Sequence, residues 1–290
     1  MNHWILAIRP KTLPAAIIPV LLGSALAWKS GAFQLLPAFL CFAFSLLVQI
    51  ATNLGNDYYD FIKGADTPDR IGPFRATASG VVQPLVMKRA MCVIFVIASW
   101  VGLGLIPYGG WPLLIVGFSS IFCGFAYTGG PYPLGYHGWG DLLVFVFFGV
   151  IAVVFTNYIQ TGQFTFEAFL VSWIVGSLAT NILVVNNYRD KETDSRAGKN
   201  TLTVRFGRKF SFYEYQVLFF IALLSNLFLW RLERQLWLLL PVIVWPFSLY
   251  LRSRLANSIT GIEYNNLLAY TVIFLLIYGL LLALGIIMST

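Results

Sequence analysis

Nine apolar runs divide the sequence, at 12–28, 34–55, 87–106, 111–127, 141–160, 166–187, 212–230, 236–251 and 266–288. A helix needs about 20 apolar residues to cross the hydrocarbon of a bilayer. Inside that hydrocarbon every backbone N–H and C=O must find a partner within the protein, so a spanning segment is a helix or a strand of a closed barrel. Continuous apolar runs of this length spell helix. The expected fold class is therefore an all-α integral membrane protein with about nine transmembrane helices. Composition agrees: 58% of the 290 residues are hydrophobic and 11% charged, against roughly 25% charged in a soluble domain. No polar segment between the runs exceeds about 35 residues, and small domains start near 50, so residues 1–290 are expected to form a single membrane domain. The start, MNHWILAIRPKTLP, does not read as a cleavable signal, because Pro14 and Pro19 interrupt the run after Lys11 and no cleavage site follows.

The placement of the charges sets an expected orientation. With the N-terminus cytoplasmic, alternation of the nine runs puts 16 of the 19 Lys and Arg residues on the cytoplasmic side, and leaves only Lys29, Arg231 and Arg234 outside. Such a bias is the positive-inside pattern of an inner (cytoplasmic) membrane protein. It accounts for the net charge of +7, so a nucleic-acid partner is not expected and the lipid bilayer is. Cys41, Cys92 and Cys123 lie within apolar runs without CxxC spacing, and read as small membrane hydrophobes. His3 and His137 are too isolated to form a metal pair.

The acids are distributed unevenly. Seven of the 12 Asp and Glu residues fall in two stretches, NDYYDFIKGADTPDRIGPFR at 56–75 and NNYRDKETDSRAGKN at 186–200, each at the end of an apolar run. Both carry the pattern N-[DN]-Y-x-D, and both are expected on the cytoplasmic side. An acid beside a membrane core is costly and commonly functional. On a helix, positions i, i+4 and i+7 or i+8 share a face. Asn53, Asp57 and Asp60 meet that spacing, as do Asn56 with Asp60 and Asn186, Asp190 and Asp194. Carboxylate and amide oxygens without a nearby histidine or cysteine suit a hard cation such as Mg2+, which is commonly held by one or two carboxylates together with substrate phosphate oxygens. Asn56, Asp60, Asp190 and Asp194 are the expected metal ligands. Basic residues interleave with them, and Lys63, Arg70, Arg75, Lys199 and Arg205 are the expected diphosphate contacts, since Arg clamps phosphate bidentately and Lys supplies a point charge. The natural ligand is a lipid diphosphate, with its head at the metals and its chain among the helices.

These residues resemble the UbiA superfamily of membrane prenyltransferases. The first motif is Asn56-Asp57-x-x-Asp60, with Asp66 two positions later than the commoner spacing, and the second is Asp190-x-x-x-Asp194. RPKTLPAAIIPVLLG near the start, YTGGPYPLGYHGWGD at 127–141 and NNYRDKETDSRAGKNTLTVRFG at 186–207 are similar to the members that prenylate 1,4-dihydroxy-2-naphthoate in menaquinone synthesis. The resemblance implies a nine-helix bundle around a central cavity. It also implies Mg2+-dependent transfer of a polyprenyl group from polyprenyl diphosphate to that naphthoate, with loss of CO2. Asp57, Asp66 and Asp141 are then candidates for acceptor-side or proton-handling roles. Three other readings stay open at this stage. They are a related enzyme with another aromatic acceptor or a phytyl donor, a cation transporter whose acidic helix ends form an ion path, and a phosphatidyltransferase, whose DGxxAR signature is absent.

Overall fold

The computed structural model describes residues 3–66, 72 and 74–289. Its helices are α1 (His3–Ile8), α2 (Pro14–Lys29), α3 (Leu35–Ile62), α4 (Pro84–Leu103), α5 (Pro112–Ala126), α6 (Gly140–Thr161), α7 (Phe166–Arg196), α8 (Leu202–Glu233), α9 (Leu236–Asn257) and α10 (Gly261–Ile287). There is no strand among the described residues. Proline opens α2, α4 and α5 within the first turn, where its missing N–H costs nothing and its fixed φ suits a helix. Thr260 opens α10 with a capping box, its side chain on the Glu263 N–H and the Glu263 carboxylate on the Thr260 N–H.

The apolar runs all appear as helices, but not with the expected bounds. α3 runs past residue 55 to Ile62 and α7 past residue 187 to Arg196. Both acidic motifs therefore ride on the last turns of long helices rather than in loops. Backbone hydrogen bonds within a helix continue past the edge of the hydrocarbon, whereas hydropathy stops there. α8 begins ten residues before its apolar run, at Leu202, with Gly207 at φ 84 breaking the helix inside it. The expected count of nine crossings is not reached by length and composition. Among the described residues seven helices qualify, or eight if α1 with its following turn and α2, bent by 51°, form one span. The remaining one, α5, has 15 residues, about 22 Å at 1.5 Å per residue, short of a hydrocarbon core about 30 Å thick.

Helix ends alternate between two sides of the bundle. On one side Tyr136, after α5, touches Asp60 near the end of α3, and Asn265 of α10 touches Arg189 of α7. On the other, Lys29 at the end of α2 pairs with Glu233 at the end of α8. α7 is the central helix, with 83% of its apolar window buried, and it packs against α6, α8 and α10. Gly149 of α6 and Gly176 of α7 make their close crossing: a Cβ on Gly149 would stand 2.7 Å from the Gly176 Cα. The main core joins Ile18 and Leu22 of α2, Ile174 and Leu178 of α7, Tyr215 of α8 and Phe274 and Tyr278 of α10. Outward-facing Trp100, Ile115, Phe118 and Ile243 are exposed, the arrangement expected of surface solvated by lipid. The protein is a multi-span membrane protein.

Candidate active site

The ends of α3 and α7 meet across one cavity of about 340 Å³. From α3 it is lined by Cys41, Phe44, Ser45, Val48, Gln49, Thr52, Asn53, Asn56 and Asp60. That stripe follows the i, i+3, i+4 period of one helix face and runs from Cys41 to Asp60, about 28 Å of helix. α6 contributes a parallel stripe from Leu143 to Ile159, and this stretch is π-helical over Phe145–Val154. α7 contributes Ala179, Ile182, Leu183, Asn186, Asn187, Asp190 and Asp194. The acids therefore stand at a polar mouth, and Val20, Cys41, Leu105, Leu113 and Ile159 close the far end as an apolar cluster.

At the mouth, Asp60 is held by two cations and a phenol. Arg75 Nη2 donates to Asp60 Oδ2 at 2.8 Å, and Lys199 Nζ lies 3.0 Å from Oδ1. The Tyr136 hydroxyl donates to the same Oδ1 at 2.8 Å. Burial first, then the Asp60 charge and this hydrogen bond, push the Tyr136 phenol well above the usual range, so it stands as an O–H donor. Asn56 Oδ1 accepts from the Thr128 hydroxyl at 3.0 Å. Across the cavity, Arg189 Nε and Nη2 grip both oxygens of Asp190, at 2.7 and 2.6 Å. The same guanidinium donates to Asn186 Oδ1 and to Asn265 Oδ1, each at 2.8 Å. Buried charges are tolerated only when paired and hydrogen-bonded, and acid and base here neutralise one another. Arg75, at the cavity wall, keeps a buried Nη1 with no hydrogen-bond partner among the described residues.

The structure sorts the expected site residues. Asn56, Asp60, Asp190, Asp194, Arg75 and Lys199 all line the cavity. Asp57 does not, although its spacing from Asn53 and Asp60 placed it on that face. It turns instead to the loop after residue 75, where its two oxygens accept from Thr77 N at 2.9 Å and Ala76 N at 3.0 Å. Consecutive positions on a helix stand about 100° apart, so spacing alone leaves such a choice open. Asp66 lies behind Arg75, 3.3 Å from its Nε. Asp141 is buried in the first turn of α6, outside the lining, with Oδ1 unpaired. Arg205 also stands away, donating to the carbonyl of His137 at 2.8 Å. Lys63 donates to the Thr128 carbonyl at 2.8 Å. Burial lowers its pKa, against the raising effect of Asp60. Asp69 and Arg70 lie outside the described residues.

Tyr136 went unread in the sequence, since it sits in a stretch that reads as a Gly/Pro/Tyr loop. Arg189 read as one of the phosphate-type bases around the second acidic stretch, not as the clamp on Asp190. The only local signal for Arg189 was its position between Asn186 and Asp190.

The donor set can be tested against a metal. Among the described residues no three His, Cys, Asp or Glu groups approach closely enough to hold an ion alone. Asn53, Asn56 and Asp60 at one helix end and Asn186, Asn187, Asp190 and Asp194 at the other offer amide and carboxylate oxygens, with no softer ligand beside them. That set fits a hard cation such as Mg2+ whose coordination is completed by phosphate oxygens.

Comparison with known proteins places the chain. The UbiA prenyltransferase family matches residues 16–268. The 1,4-dihydroxy-2-naphthoate octaprenyltransferase of Escherichia coli is 42% identical over 210 residues, covering 70% of this chain and 68% of that one. The Mycobacterium tuberculosis protein of the same name is 34% identical over 282 residues, covering 97% and 95%. Among solved structures, a UbiA homologue from Archaeoglobus fulgidus bound to GPP and Mg2+ superposes with a TM-score of 0.66 at 15% identity, covering 99% of this chain and 100% of that chain. Digeranylgeranylglyceryl phosphate synthase gives 0.67 at 18%, covering 99% and 98%. With a family match over most of its length and a relative 34% identical along 97% of it, the chain belongs to the UbiA prenyltransferase family.

Proposed function

We propose that the protein transfers a polyprenyl group from polyprenyl diphosphate to 1,4-dihydroxy-2-naphthoate with loss of CO2, giving demethylmenaquinol in menaquinone synthesis. One observation carries the reading: two oxygen-rich helix ends and the bases Arg75 and Lys199 meet at the polar mouth of a long apolar cavity. Relatives named for this reaction support the choice of acceptor. Mg2+ held by Asn56, Asp60, Asp190 and Asp194 would neutralise charge on the diphosphate as a Lewis acid.

The residues of the chain do the rest. Arg75 and Lys199 stand as fixed positive charge where negative charge builds as the allylic C–O bond breaks and its electron pair leaves with the diphosphate. Phe147 and Phe148 line the cavity on the half of α6 nearer the mouth, and their ring faces stabilise the cationic chain end, while Phe44 and Phe155, each about one turn from the apolar far end, line the space for the chain. Their dry surroundings keep water from capturing it. The ring carbon of the naphthoate bonds to the prenyl carbon. The bond to the carboxylate then breaks, CO2 leaves, and the electron pair returns to the ring, so no strong base is required there. Asp57, Asp66 and Arg205 serve as positioning residues that hold the 74–79 loop, Arg75 and the 137–138 turn. Lys63 adds to the positive field at the mouth. Asp141 sits behind the lining and is assigned no contact with substrate.

The chain forms one domain in the inner membrane, with its N-terminus and acidic motifs facing the cytoplasm. α5 completes a ninth crossing, because residues 128–137 after it lie beside the end of α3, the side from which α4 departs. The test is a membrane assay with prenyl diphosphate, Mg2+ and carboxyl-labelled 1,4-dihydroxy-2-naphthoate. Release of labelled CO2 that EDTA abolishes is the expected result. Prenylation of 4-hydroxybenzoate or homogentisate without such release would overturn the acceptor.

A further inference from the structure

We propose that Tyr136 is a positioning residue for the prenyl-transfer site, tying the two acidic motifs together by orienting Asp60 and holding two lysines at the mouth of the cavity. The inference rests on the function proposed above and concerns how its diphosphate site is assembled. Tyr136 is buried and lines the cavity. Its hydroxyl donates to Asp60 Oδ1 at 2.8 Å, the same oxygen that Lys199 approaches at 3.0 Å. Its ring carries the ammonium of Lys63 and that of Lys199, each 4.8 Å from the centroid. Its carbonyl accepts from Asn200 N at 2.8 Å, and its own N–H donates to Pro133 O at 3.0 Å. One side chain thus touches the first motif through Asp60 and Lys63 and the second through Lys199, while its backbone is fixed by the residue after Lys199.

The two functions of the side chain are chemically separable. The hydroxyl orients a carboxylate, and groups that orient a metal ligand typically govern metal affinity by 10–100-fold. The ring holds two cations by their attraction to its π face. A Tyr136→Phe variant removes the first function and keeps the second, whereas Tyr136→Leu removes both.

The experiment measures binding of geranyl thiodiphosphate, a slow-reacting analogue, to the purified full-length protein over a Mg2+ series, beside steady-state turnover. For Tyr136→Phe, the Mg2+ concentration at half-saturation is expected to rise about tenfold, with KM for prenyl diphosphate nearly unchanged at saturating Mg2+. For Tyr136→Leu, analogue affinity is expected to fall a further tenfold or so even at saturating Mg2+. If Tyr136→Phe gives the wild-type Mg2+ curve, or if both variants lose kcat alone, the inference is overturned. Should Tyr136→Leu fail to fold, the Mg2+ curve of Tyr136→Phe still decides. Absence of Mg2+-dependent analogue binding by the wild-type protein would instead remove the proposed function, and this inference with it.

Discussion

Asp60 and Asp190 are the residues on which the proposed chemistry turns, and their surroundings separate them from their neighbours. Each is buried in contact with a guanidinium, Arg75 for one and Arg189 for the other. Replacement by Asn keeps the shape but removes the charge that a hard cation needs. Asp60→Asn and Asp190→Asn are each expected to reduce prenyl transfer at least about 100-fold, since loss of Lewis-acid help to a leaving group is worth several kcal/mol. Near-normal turnover in both, measured in membranes, would show that the metal assignment is wrong. Asp57 should behave differently. Its two oxygens satisfy the buried N–H groups of Ala76 and Thr77, and a buried donor left unpaired costs about 1–3 kcal/mol. Asp57→Ala is therefore expected to lower the melting temperature of the purified protein. Asp60→Asn removes one partner of a buried ion pair and is expected to lower the melting temperature as well, so what sets it apart from Asp57→Ala is loss of activity in the protein that stays folded. Equal melting temperatures for Asp57→Ala and wild type would remove the positioning role.

At the scale of elements, the site depends on the placement of α7 between α6, α8 and α10. α7 carries half of the ligand set, so anything that displaces it opens the mouth. The crossing of α6 and α7 at Gly149 and Gly176 leaves no room for a side chain: a Cβ at Gly149 would lie 2.6 Å from the Ser172 carbonyl oxygen, and one at Gly176 2.8 Å from that of Phe145. Small residues that let backbones approach closely are a main source of helix association in lipid. Gly149→Leu is expected to lower the melting temperature by several degrees and to reduce activity, although residue 149 does not line the cavity. Gly117 makes a useful control, because a Cβ there meets nothing within 4 Å. Gly117→Ala should leave the melting temperature where it is, and a fall equal to that of Gly149→Leu would argue against the close crossing as the cause.

For the whole molecule, the strongest prediction concerns topology. The proposed nine crossings with the N-terminus inside would place the C-terminal end of α10 outside. A phosphatase reporter fused there is expected to be active, and one inserted in the 197–200 turn inactive. The reverse pattern would move the acidic motifs to the other face of the membrane. Much of this was already determined by the sequence. Apolar run length decided the membrane class, because the thickness of hydrocarbon and the rise of a helix are both fixed. Oxygen-only ligands on helical spacing pointed to a hard cation and a phosphate, and Asn186, Asp190 and Asp194 do share one face on the cavity. Tertiary structure decided the rest. It turned Asp57 away from the cavity, sent Arg205 to the carbonyl of His137, clamped Asp190 with Arg189, and brought Tyr136 against Asp60 and Lys199. Hydropathy and helical period are local properties, readable from neighbours a few positions apart. The contacts of Tyr136 and Arg205, and the tie from Arg189 to Asn265, join segments separated by 60 or more positions. Only the packing of the helices that carry those segments brings them together.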